Sequence, residues 1–431
     1  MKRVCLALPT NRPCAGAIVD VHAEAAFAAA NFDVEVHVLI LDSCTPAAYA
    51  EHRRVVDALP ATSGVLVHHL GEGAQRRILA RTCARAGGDT DRLLDLILPD
   101  GLSYGACTNR AFLIAAALGC GSVHRRDSDS RYQRLDGTVI HPIHHELRFL
   151  GLPGADAVPL ATDSALAPGQ HDRPVSLVAG SFIGEMSVDL AEMRAAEPVV
   201  YHDVVSLWAP SDWSAEQKDW LVAESFIGGG TEPFAGDRAT LGTIDMYRVD
   251  MCNMALDREV YERVPLPPAR DTIGSDYFLI HLVHDAGLPG VVHNRHIVNG
   301  YTPERRTEAG FLAYQMRFVK FLLSMPYLND VYGRMTEAGA ALLDRGHRVR
   351  PDAVAGYVRA SLRLDRGENE HILTVLDTSY RKLGDRYAPV ADLLQQRQTR
   401  LLDEARADMA DYASLIDSWS GLVEAARVGG L

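Results

Sequence analysis

Two aspartates separated by one serine are the residues of this chain best suited to chemistry. Asp127, Ser128 and Asp129 follow a short apolar segment, and a helix opened by Gly105 precedes that segment. Two carboxylates at i and i+2 beyond a buried strand can project together into the crevice at the carboxyl edge of a sheet, where open α/β sheets bind ligands. Divalent cations such as Mg²⁺ prefer oxygen ligands and keep water or substrate phosphate in their other positions. The spacing therefore predicts a clamp for a metal–diphosphate; the alternative is a solvated turn.

Basic residues near this pair favour the functional interpretation. Arg125 and Arg126 directly precede it, and cations beside carboxylates suit a site that handles both metal and phosphate. Asn109 and Arg110 lie near the start of the preceding helix, where the helix dipole disfavours a cation unless an anion is near. The alternative for Arg110 is an exposed arginine paired with a carboxylate.

Three residues late in the chain are further candidates for the same site. His293 and His296 are expected at the end of a strand, where a histidine can complete a metal site begun by the aspartates. The alternative is a half-buried histidine in a chain that has 17 of them. Asp276 is expected in the first turn of a helix, with Ser275 as its cap. There it either complements the helix dipole or faces an acceptor.

Polar residues also follow the first two predicted strands. Pro9, Thr10, Asn11 and Arg12 are either loop residues or the wall of a base and ribose pocket. Asp42, at the end of the second strand, is either a turn former or a nucleobase contact. Both are positions at which a nucleotide crevice would require polar groups.

The elements that must position these residues alternate between strands and helices. We predict strands at 3–8, 34–41, 64–70, 175–179, 249–256 and 290–293, and helices at 16–30, 45–58, 73–86, 214–225 and 274–286. This alternation predicts a parallel, doubly wound α/β sheet, and a flexible loop is expected at 228–230. Beyond Pro303 the periodicity predicts a helical C-terminal domain, with helices at 303–329, 333–345, 351–365, 369–383 and 388–427.

Composition limits the class of function. The chain has 431 residues, a hydrophobic fraction of 47% and a net charge of −13, which disfavours a broad nucleic-acid footprint. The beginning of the chain has no signal-peptide pattern, and no apolar run is long enough to span a membrane. The seven cysteines are scattered without a CxxC, as in reduced thiols. We therefore expect a cytoplasmic protein that does not associate with membranes.

Several catalytic fingerprints are absent from the sequence. The chain has no GxGxxG, no Walker A motif and no GxSxG on a strand–turn–helix elbow. The sequence therefore gives no support to a dinucleotide-binding enzyme or to a serine or cysteine nucleophile.

Taken together, these motifs resemble those of the GT-A family of nucleotide-sugar glycosyltransferases. The shared features are the polar loop Pro9–Arg12, the acid Asp42, the helix with Gly105, Asn109 and Arg110, and the Asp127–Asp129 motif. The late segment HNRHIVNGYTP looks like the histidine segment of retaining GT-A enzymes similar to glucosyl-3-phosphoglycerate synthase. The resemblance covers about residues 1–305. The sequence departs from the family pattern in having polar rather than apolar residues before the first aspartate.

The resemblance implies a GT-A fold, which is a Rossmann-like, doubly wound mixed α/β sheet, and an enzyme that uses a GDP- or UDP-sugar with Mg²⁺ or Mn²⁺. Residues 1–135 would form the nucleotide-sugar-binding half, 136–305 the acceptor-binding half and 306–431 the helical C-terminal domain. Asp127, Asp129, His293 and, second to it, His296 would hold the metal, and Arg110 or Arg126 would stabilise charge. In an inverting enzyme, Asp276 would be the base.

The composition is typical of a GC-rich bacterial genome, and together with the expected absence of a membrane anchor it favours a small acceptor. Such an acceptor would be a natural-product or thiol intermediate, as in antibiotic biosynthesis by a lincosamide-type S-glycosyltransferase. The C-terminal helices would form either a homodimer surface or a lid.

Two other functions compete with this one. A sugar-1-phosphate nucleotidyltransferase would require a glycine-rich basic loop after the first strand, and residues 9–14 contain one arginine and no such loop. A non-catalytic nucleotide-sugar-binding protein would bind nucleotide without metal and without turnover.

Overall fold

The computed structural model describes residues 1–185, 190–225, 232–300 and 302–431. The loop expected at 228–230 and Tyr301 of the late histidine segment lie outside these residues. The strands are β1 Lys2–Thr10, β2 Val34–Asp42, β3 Val65–Gly71, β4 Ser122–Arg126, β5 Ser130–Tyr132, β6 Arg134–Leu135, β7 Thr138–Val139, β8 Asp163–Ala165, β9 Leu177–Ala179, β10 Phe182–Gly184, β11 Ala239–Gly242, β12 Asn253–Asp257, β13 Gly290–His293 and β14 Ile297–Asn299.

The helices of the described residues fall into a group that alternates with the strands and a C-terminal group. The first group is α1 Ala15–Asn31, α2 Pro46–Asp57, α3 Glu72–Ala86, α4 Thr90–Ile97, α5 Tyr104–Ala117, α6 Ile143–Phe149, α7 Gly154–Ala157, α8 Leu190–Ala196, α9 Pro198–Ser206, α10 Ala215–Glu224, α11 Arg258–Tyr261 and α12 Phe278–Asp285. The second group is α13 Glu308–Ala338, α14 Pro351–Ser361, α15 Gly367–Leu383 and α16 Ala388–Gly429.

The main sheet is mixed, with the order β3-β2-β1-β4-β12-β9-β13-β11-β8. Its first four strands are parallel, as the alternation of strands and helices predicts. Strand β12 runs antiparallel to β4, with Asn253 opposite Arg126. The amino end of β12 therefore meets the carboxyl end of β4, and residues just before β12 share an edge with residues just after β4.

Strand register aligns the polar ends of the parallel strands. Thr10 of β1 pairs with Asp42 of β2, and Asp42 pairs with Gly71 of β3. Helix α2 then begins as the sequence predicts, because the Thr45 side chain accepts a hydrogen bond from the Ala48 backbone and proline occupies the first turn.

A small sheet of order β10-β14-β5 lies beside this edge. In it Asn299 of β14 pairs with Ser130 of β5, the residue directly after Asp129. Backbone pairing therefore ties the loop of the two aspartates to the segment that leads into α13.

The C-terminal helices share a hydrophobic core with the sheet. In α16, Trp419 donates to the Tyr261 carbonyl at 2.8 Å and Tyr412 donates to the Pro265 carbonyl at 3.1 Å. The predicted fold class, an α/β mixed sheet with a helical C-terminal region, is confirmed. The proposed three-part division of the chain remains a prediction.

Two predicted element boundaries are wrong in ways that bear on the site. Helix α13 continues through the predicted break near residue 330 and even contains Pro326, because its apolar residues are buried along most of its length. Helix α12 begins at Phe278, so Asp276 is not in its first turn. Ser275 does not cap α12, because its hydroxyl accepts a hydrogen bond from the Gly105 backbone at 3.2 Å.

Within the described ranges, every helix is too short or too polar to cross a lipid bilayer.

Candidate active site

A cavity of about 1030 Å³ opens at the carboxyl edge of β4, between that edge and helices α12 and α13. We call the part next to the sheet the acidic end. Its lining residues are Tyr104, Arg125, Asp127, Asp129, Ser181, Asp250, Asp276, Tyr277, Arg305 and Tyr314. Charged groups of both signs therefore converge where the sequence predicts the site.

Asp127 and Asp129 both line the cavity and are held differently. Arg12 donates to Asp129 Oδ2 at 2.8 Å, and Arg305 Nη2 lies 3.8 Å from the same oxygen. Burial and the neighbouring Asp127 raise the pKa of Asp129, whereas Arg12 and Arg305 oppose that rise. The side chain of Asp127 is about one-third exposed. These paired carboxylates offer oxygen ligands that suit a divalent cation, with room for water and phosphate in its other positions.

Arg125, not Arg126, is the arginine of β4 that faces the cavity. Successive side chains of a strand point to opposite faces of the sheet. Arg126 points away from the cavity and donates to Glu24 and Glu146 at 2.9 Å, in a buried network. Its guanidinium therefore does not reach the cavity, and the charge-stabilising position predicted for it is held by Arg125.

Asp276 is joined to Arg125 across the cavity wall. The Arg125 guanidinium donates to Asp276 Oδ2 at 2.6 Å and lies 3.1 Å from Asp127 Oδ1. The Arg125 side chain is only 5% exposed, yet the two carboxylates outweigh its burial and raise its pKa. Asp276 is thus a carboxylate whose Oδ2 is already occupied by a buried cation.

Asp250 is a third carboxylate of the acidic end. It lies just before β12, accepts a hydrogen bond from the Tyr277 hydroxyl, and accepts another from the Cys252 backbone at 2.9 Å. Burial raises the pKa of Asp250, and the nearby charge of Asp127 adds to this rise. A carboxylate of raised pKa at a cavity wall is suited to accept a proton.

Arg305 provides a second cation at the acidic end. Its guanidinium lies over the Tyr314 ring, 4.9 Å from the ring centroid. Tyr314 belongs to α13, so the C-terminal region contributes directly to the cavity wall.

Asp42 lies in a buried network next to the cavity edge. Its Oδ2 accepts hydrogen bonds from His52 and His69, both at 2.8 Å, and its Oδ1 accepts one from the Cys44 backbone at 3.0 Å. Burial would raise the pKa of Asp42, but the hydrogen bonds from His69, Cys44 and His52 lower it below its ordinary value. Asp42 therefore has no exposed oxygen for the predicted nucleobase contact.

The same three side chains have metal-ligand geometry, since their ligand atoms lie within 4.8 Å of one another. His52 Nε2, however, accepts a hydrogen bond from the Cys14 backbone at 2.9 Å. Its proton is therefore on Nδ1, the nitrogen directed at Asp42. His52 thus has no free lone pair, and the cluster fits a structural role better than a metal site.

The segment Pro9–Arg12, which includes the last two residues of β1, approaches the site through one residue. Thr10 is buried and exchanges hydrogen bonds with the Arg12 backbone, whereas Asn11 is exposed and Pro9 is half-buried. Arg12 is the residue of this group that contacts a cavity carboxylate, Asp129.

The three residues of α5 that the sequence suggests as ligand contacts have structural roles. A Cβ on Gly105 would lie 1.9 Å from the Pro267 carbonyl oxygen, so this glycine permits close packing of the helix against residues 265–268. Asn109 donates to the Leu266 carbonyl and accepts from its backbone N–H, both at 2.8 Å. Arg110 is buried and donates to the Ile97 carbonyl at 3.2 Å. None of these three described side chains lines the cavity.

His293 and His296 contact the backbone of residues 180–181 and do not line the cavity. Nδ1 of His296 accepts a hydrogen bond from the Ser181 backbone at 3.0 Å. The His293 ring stacks on the His145 ring with 5.5 Å between the ring centroids. Burial lowers the pKa of His293 far below the ordinary value. The described residues thus place Asp127 and Asp129 at the cavity without either histidine.

Sequence reasoning missed Asp250, Tyr277, Arg305 and Tyr104 as wall residues. A signal for Asp250 exists, because an acid just before a strand antiparallel to β4 must lie at the same edge as Asp127. That signal requires the strand order, which one sequence does not provide.

A family model described as "Family of unknown function (DUF6271)" matches residues 2–431. The chain belongs to this family. No curated protein is significantly similar to the chain.

Solved structures with a similar fold include nucleotide-sugar enzymes. The mannosyltransferase PcManGT from Pyrobaculum calidifontis, in complex with GDP-Man and Mn²⁺, is 13% identical, with 96% of this chain and 86% of that chain covered and a TM-score of 0.37. Glucosyl-3-phosphoglycerate synthase from Mycobacterium tuberculosis, in complex with Mn²⁺, UDP and phosphoglyceric acid, is 16% identical, with coverage of 75% and 78% and a TM-score of 0.36.

A third similar structure is S. aureus TarS, residues 1–349, which is 12% identical, with coverage of 96% and 92% and a TM-score of 0.33. Likenesses at these identities and scores do not by themselves assign an activity to this DUF6271 protein.

Proposed function

We propose that this protein is a metal-dependent glycosyltransferase that uses a nucleotide-sugar donor. The observation that carries the proposal is the convergence of Asp127, Asp129, Arg125 and Arg305 in one large cavity at the carboxyl edge of β4, where Arg12 also pairs with Asp129. A donor of this class carries a diphosphate, which needs cations and metal-ligating oxygens in the same place.

Asp127 and Asp129 are the residues that would hold Mg²⁺ or Mn²⁺. Burial and the neighbouring Asp127 disfavour the charged form of Asp129, so a divalent cation would relieve an existing electrostatic cost. When bound, it would offset the negative charge that develops on the departing nucleoside diphosphate. His293 and His296 are second candidates, which would require a rearrangement around residues 180–181.

The arginines would bind the diphosphate directly. Arg12 and Arg305 both lie within 4 Å of Asp129 Oδ2, so phosphate oxygens could replace the carboxylate as their partner. Arg125 is held by Asp127 and Asp276, which orients its guanidinium at the wall. These fixed cations would stabilise charge in the transition state.

Asp250 is the residue best placed to accept the acceptor proton. As the bond between the sugar and the diphosphate oxygen breaks, the acceptor atom bonds to the anomeric carbon and its proton passes to Asp250. The hydrogen bond from Tyr277 orients the Asp250 carboxylate, and the raised pKa of Asp250 makes this carboxylate more basic. Asp276, already paired with Arg125, is the weaker candidate for this role.

The acceptor would be a small molecule, such as a natural-product intermediate or a thiol, because the cavity is bounded by α12 and α13. A cytoplasmic enzyme of secondary metabolism fits this proposal. A sugar-1-phosphate nucleotidyltransferase fits less well, since Arg12 is the single arginine of the loop after β1 and is directed at Asp129.

Donor turnover tests the proposal and separates it from this rival. The protein is incubated with UDP-glucose or GDP-mannose and Mn²⁺, with water as substitute acceptor, and the products are separated by anion-exchange chromatography. Metal-dependent release of UDP or GDP is expected, and Asp129→Asn should abolish it. Formation of sugar 1-phosphate and nucleoside triphosphate upon addition of pyrophosphate would instead identify a nucleotidyltransferase.

A further inference from the structure

The cavity continues beyond Tyr277 into a region with aromatic walls, which we call the aromatic arm. Its aromatic lining residues are Trp208, Trp213, Trp220, Tyr247, Phe321 and Tyr332. Three of the four tryptophans in the sequence line this space. Trp220 is 48% exposed, so part of its ring is accessible to a ligand in the arm.

Helix α12 connects the acidic end to the aromatic arm. Asp276 lies just before the helix and Asp285 is its last residue. Eight helical residues span about 12 Å, so a ligand at Asp285 would extend well away from the proposed metal site. A bound acceptor could therefore fill the arm while one end of it reaches the donor.

Asp285 is a buried carboxylate at the wall of the arm. Its side chain is 3% exposed, and its Oδ1 accepts a hydrogen bond from Thr336 at 3.1 Å and lies 3.0 Å from His284 Nδ1. Within the described chain, Oδ2 has no hydrogen-bond partner. An acid in the last turn of a helix also faces the negative end of the helix dipole. Asp285 thus has two reasons to attract a cation.

Among the described residues, the surroundings supply no partner to Oδ2, because His284 lies against Oδ1. His281 stacks on Tyr332 at 3.7 Å, and burial lowers its pKa to about 4, which leaves it neutral near pH 7. Arg334 is already paired with Asp330. Glu337 and Glu368 also line the arm and form no ion pair within the described residues.

We propose that the aromatic arm binds an acceptor with an apolar body and a protonated amine, the amine pairing with Asp285. This inference rests on the proposed function for the identity of the ligand as an acceptor. Tryptophan and tyrosine faces attract cations through their ring electrons, so the walls and the carboxylate favour the same ligand class. A neutral sugar would stack on the walls and its hydroxyls could donate to Asp285 Oδ2, but it would leave the negative charge of this buried carboxylate without a cation.

The test uses the intact protein without nucleotide or metal, so that it does not depend on glycosyl transfer. Tryptophan fluorescence is titrated with three probes of one shape: 4-phenylbutylamine, 4-phenylbutan-1-ol and 4-phenylbutyrate. The amine is expected to bind at least about tenfold more tightly than the alcohol, and the carboxylate most weakly. Equal binding of amine and alcohol, or preference for the carboxylate, would overturn the inference.

Asp285→Asn should reduce the preference for the amine to within about twofold, because the amide keeps the contact with Thr336 but carries no charge. Glu370→Gln, an exposed position on α15 outside the cavity, is the matched control and should keep the full preference. An Asp285→Asn protein that retains the preference would remove Asp285 from the inference. The ranking of the three probes on the unmodified protein remains decisive if this variant does not fold.

A separate titration with UDP or GDP and Mn²⁺ distinguishes the two proposals. Nucleotide binding without amine preference would overturn the acceptor class and leave the glycosyltransferase proposal standing. Amine preference without nucleotide binding would support a cation-binding arm and contradict the glycosyltransferase proposal.

Discussion

The guanidinium of Arg125 donates a 2.6 Å hydrogen bond to Asp276 Oδ2, in a pair whose side chains are only 5% and 7% exposed. This contact joins the carboxyl end of β4 to the connection that leads into α12. It fixes the arginine that faces the cavity and occupies the carboxylate that the sequence suggests as a base.

Asp276→Asn is expected to lower the free energy of unfolding by about 3 kcal/mol, because it leaves a buried guanidinium with one carboxylate fewer. Urea denaturation followed by circular dichroism measures this change. The matched control is Asp163→Asn, at an exposed position of the edge strand β8, and should be nearly neutral. Unchanged stability of Asp276→Asn would show that the pair does not hold the wall together.

Asp250→Asn should slow donor turnover by about 100-fold or more while nucleotide affinity changes little, since the variant removes a proton acceptor and not a phosphate contact. Tyr277→Phe should have a smaller effect, because the carboxylate remains. Steady-state rates and calorimetric affinities measure the two quantities separately. Loss of affinity with an unchanged rate would assign Asp250 to donor binding instead.

Gly105→Ala should destabilise the protein by several kcal/mol, because its Cβ would overlap the Pro267 carbonyl oxygen. Gly356→Ala, on an exposed face of α14 with no atom within 4 Å of the added Cβ, should be stabilising by about 0.5–1 kcal/mol. Thermal unfolding of the two variants provides the comparison. If Gly105→Ala were as stable as the parent protein but failed to bind nucleotide, the glycine would serve the ligand and not the packing.

Asp408 should make stability depend on pH. Burial raises its pKa to about 6, against the opposing effect of Lys320, 3.3 Å away. The folded protein then holds this proton more tightly than the unfolded chain. The stabilisation of the folded protein that comes from this proton on Asp408 is fully present below about pH 4 and is lost as pH rises through 6.

The free energy of unfolding of the parent protein relative to Asp408→Asn should therefore fall by up to about 3 kcal/mol between pH 4 and pH 7. Urea denaturation of both proteins across this range measures the difference. Glu404 and Asp411 also act on this site and are present in both proteins, so their titration largely cancels. A difference that is constant with pH would contradict the account.

The sequence is sufficient to predict the parallel strands and the sheet edge at which the candidate site lies. Apolar runs such as β1 and β2 end in polar residues, and the rule that parallel strands end at one edge brings Thr10, Asp42 and Asp127 into one region. Prediction of individual roles is less successful. Arg125 and Arg126 differ by one position in a strand, and only the register decides which of them faces the cavity.

Other roles depend on contacts far apart in the sequence. Asp250 reaches the site because β12 is inserted antiparallel beside β4. Asp42 is buried away from ligand contact because His52 and His69 donate hydrogen bonds to its Oδ2. Neither the pairing of β12 with β4 nor the contacts of Asp42 with the two histidines have a local sequence signal. In each case the partners are 10 or more positions apart in the sequence and belong to different elements.

Calorimetric titration of UDP and of GDP, each with Mn²⁺ and with EDTA, is the first test of the proposed metal–diphosphate clamp. We expect one nucleotide to bind in Mn²⁺ at least about tenfold more tightly than in EDTA, and Asp129→Ala to abolish this difference. If neither nucleotide binds to the folded protein in Mn²⁺, or if Asp129→Ala binds as the parent does, then Asp127 and Asp129 are not a metal–diphosphate clamp.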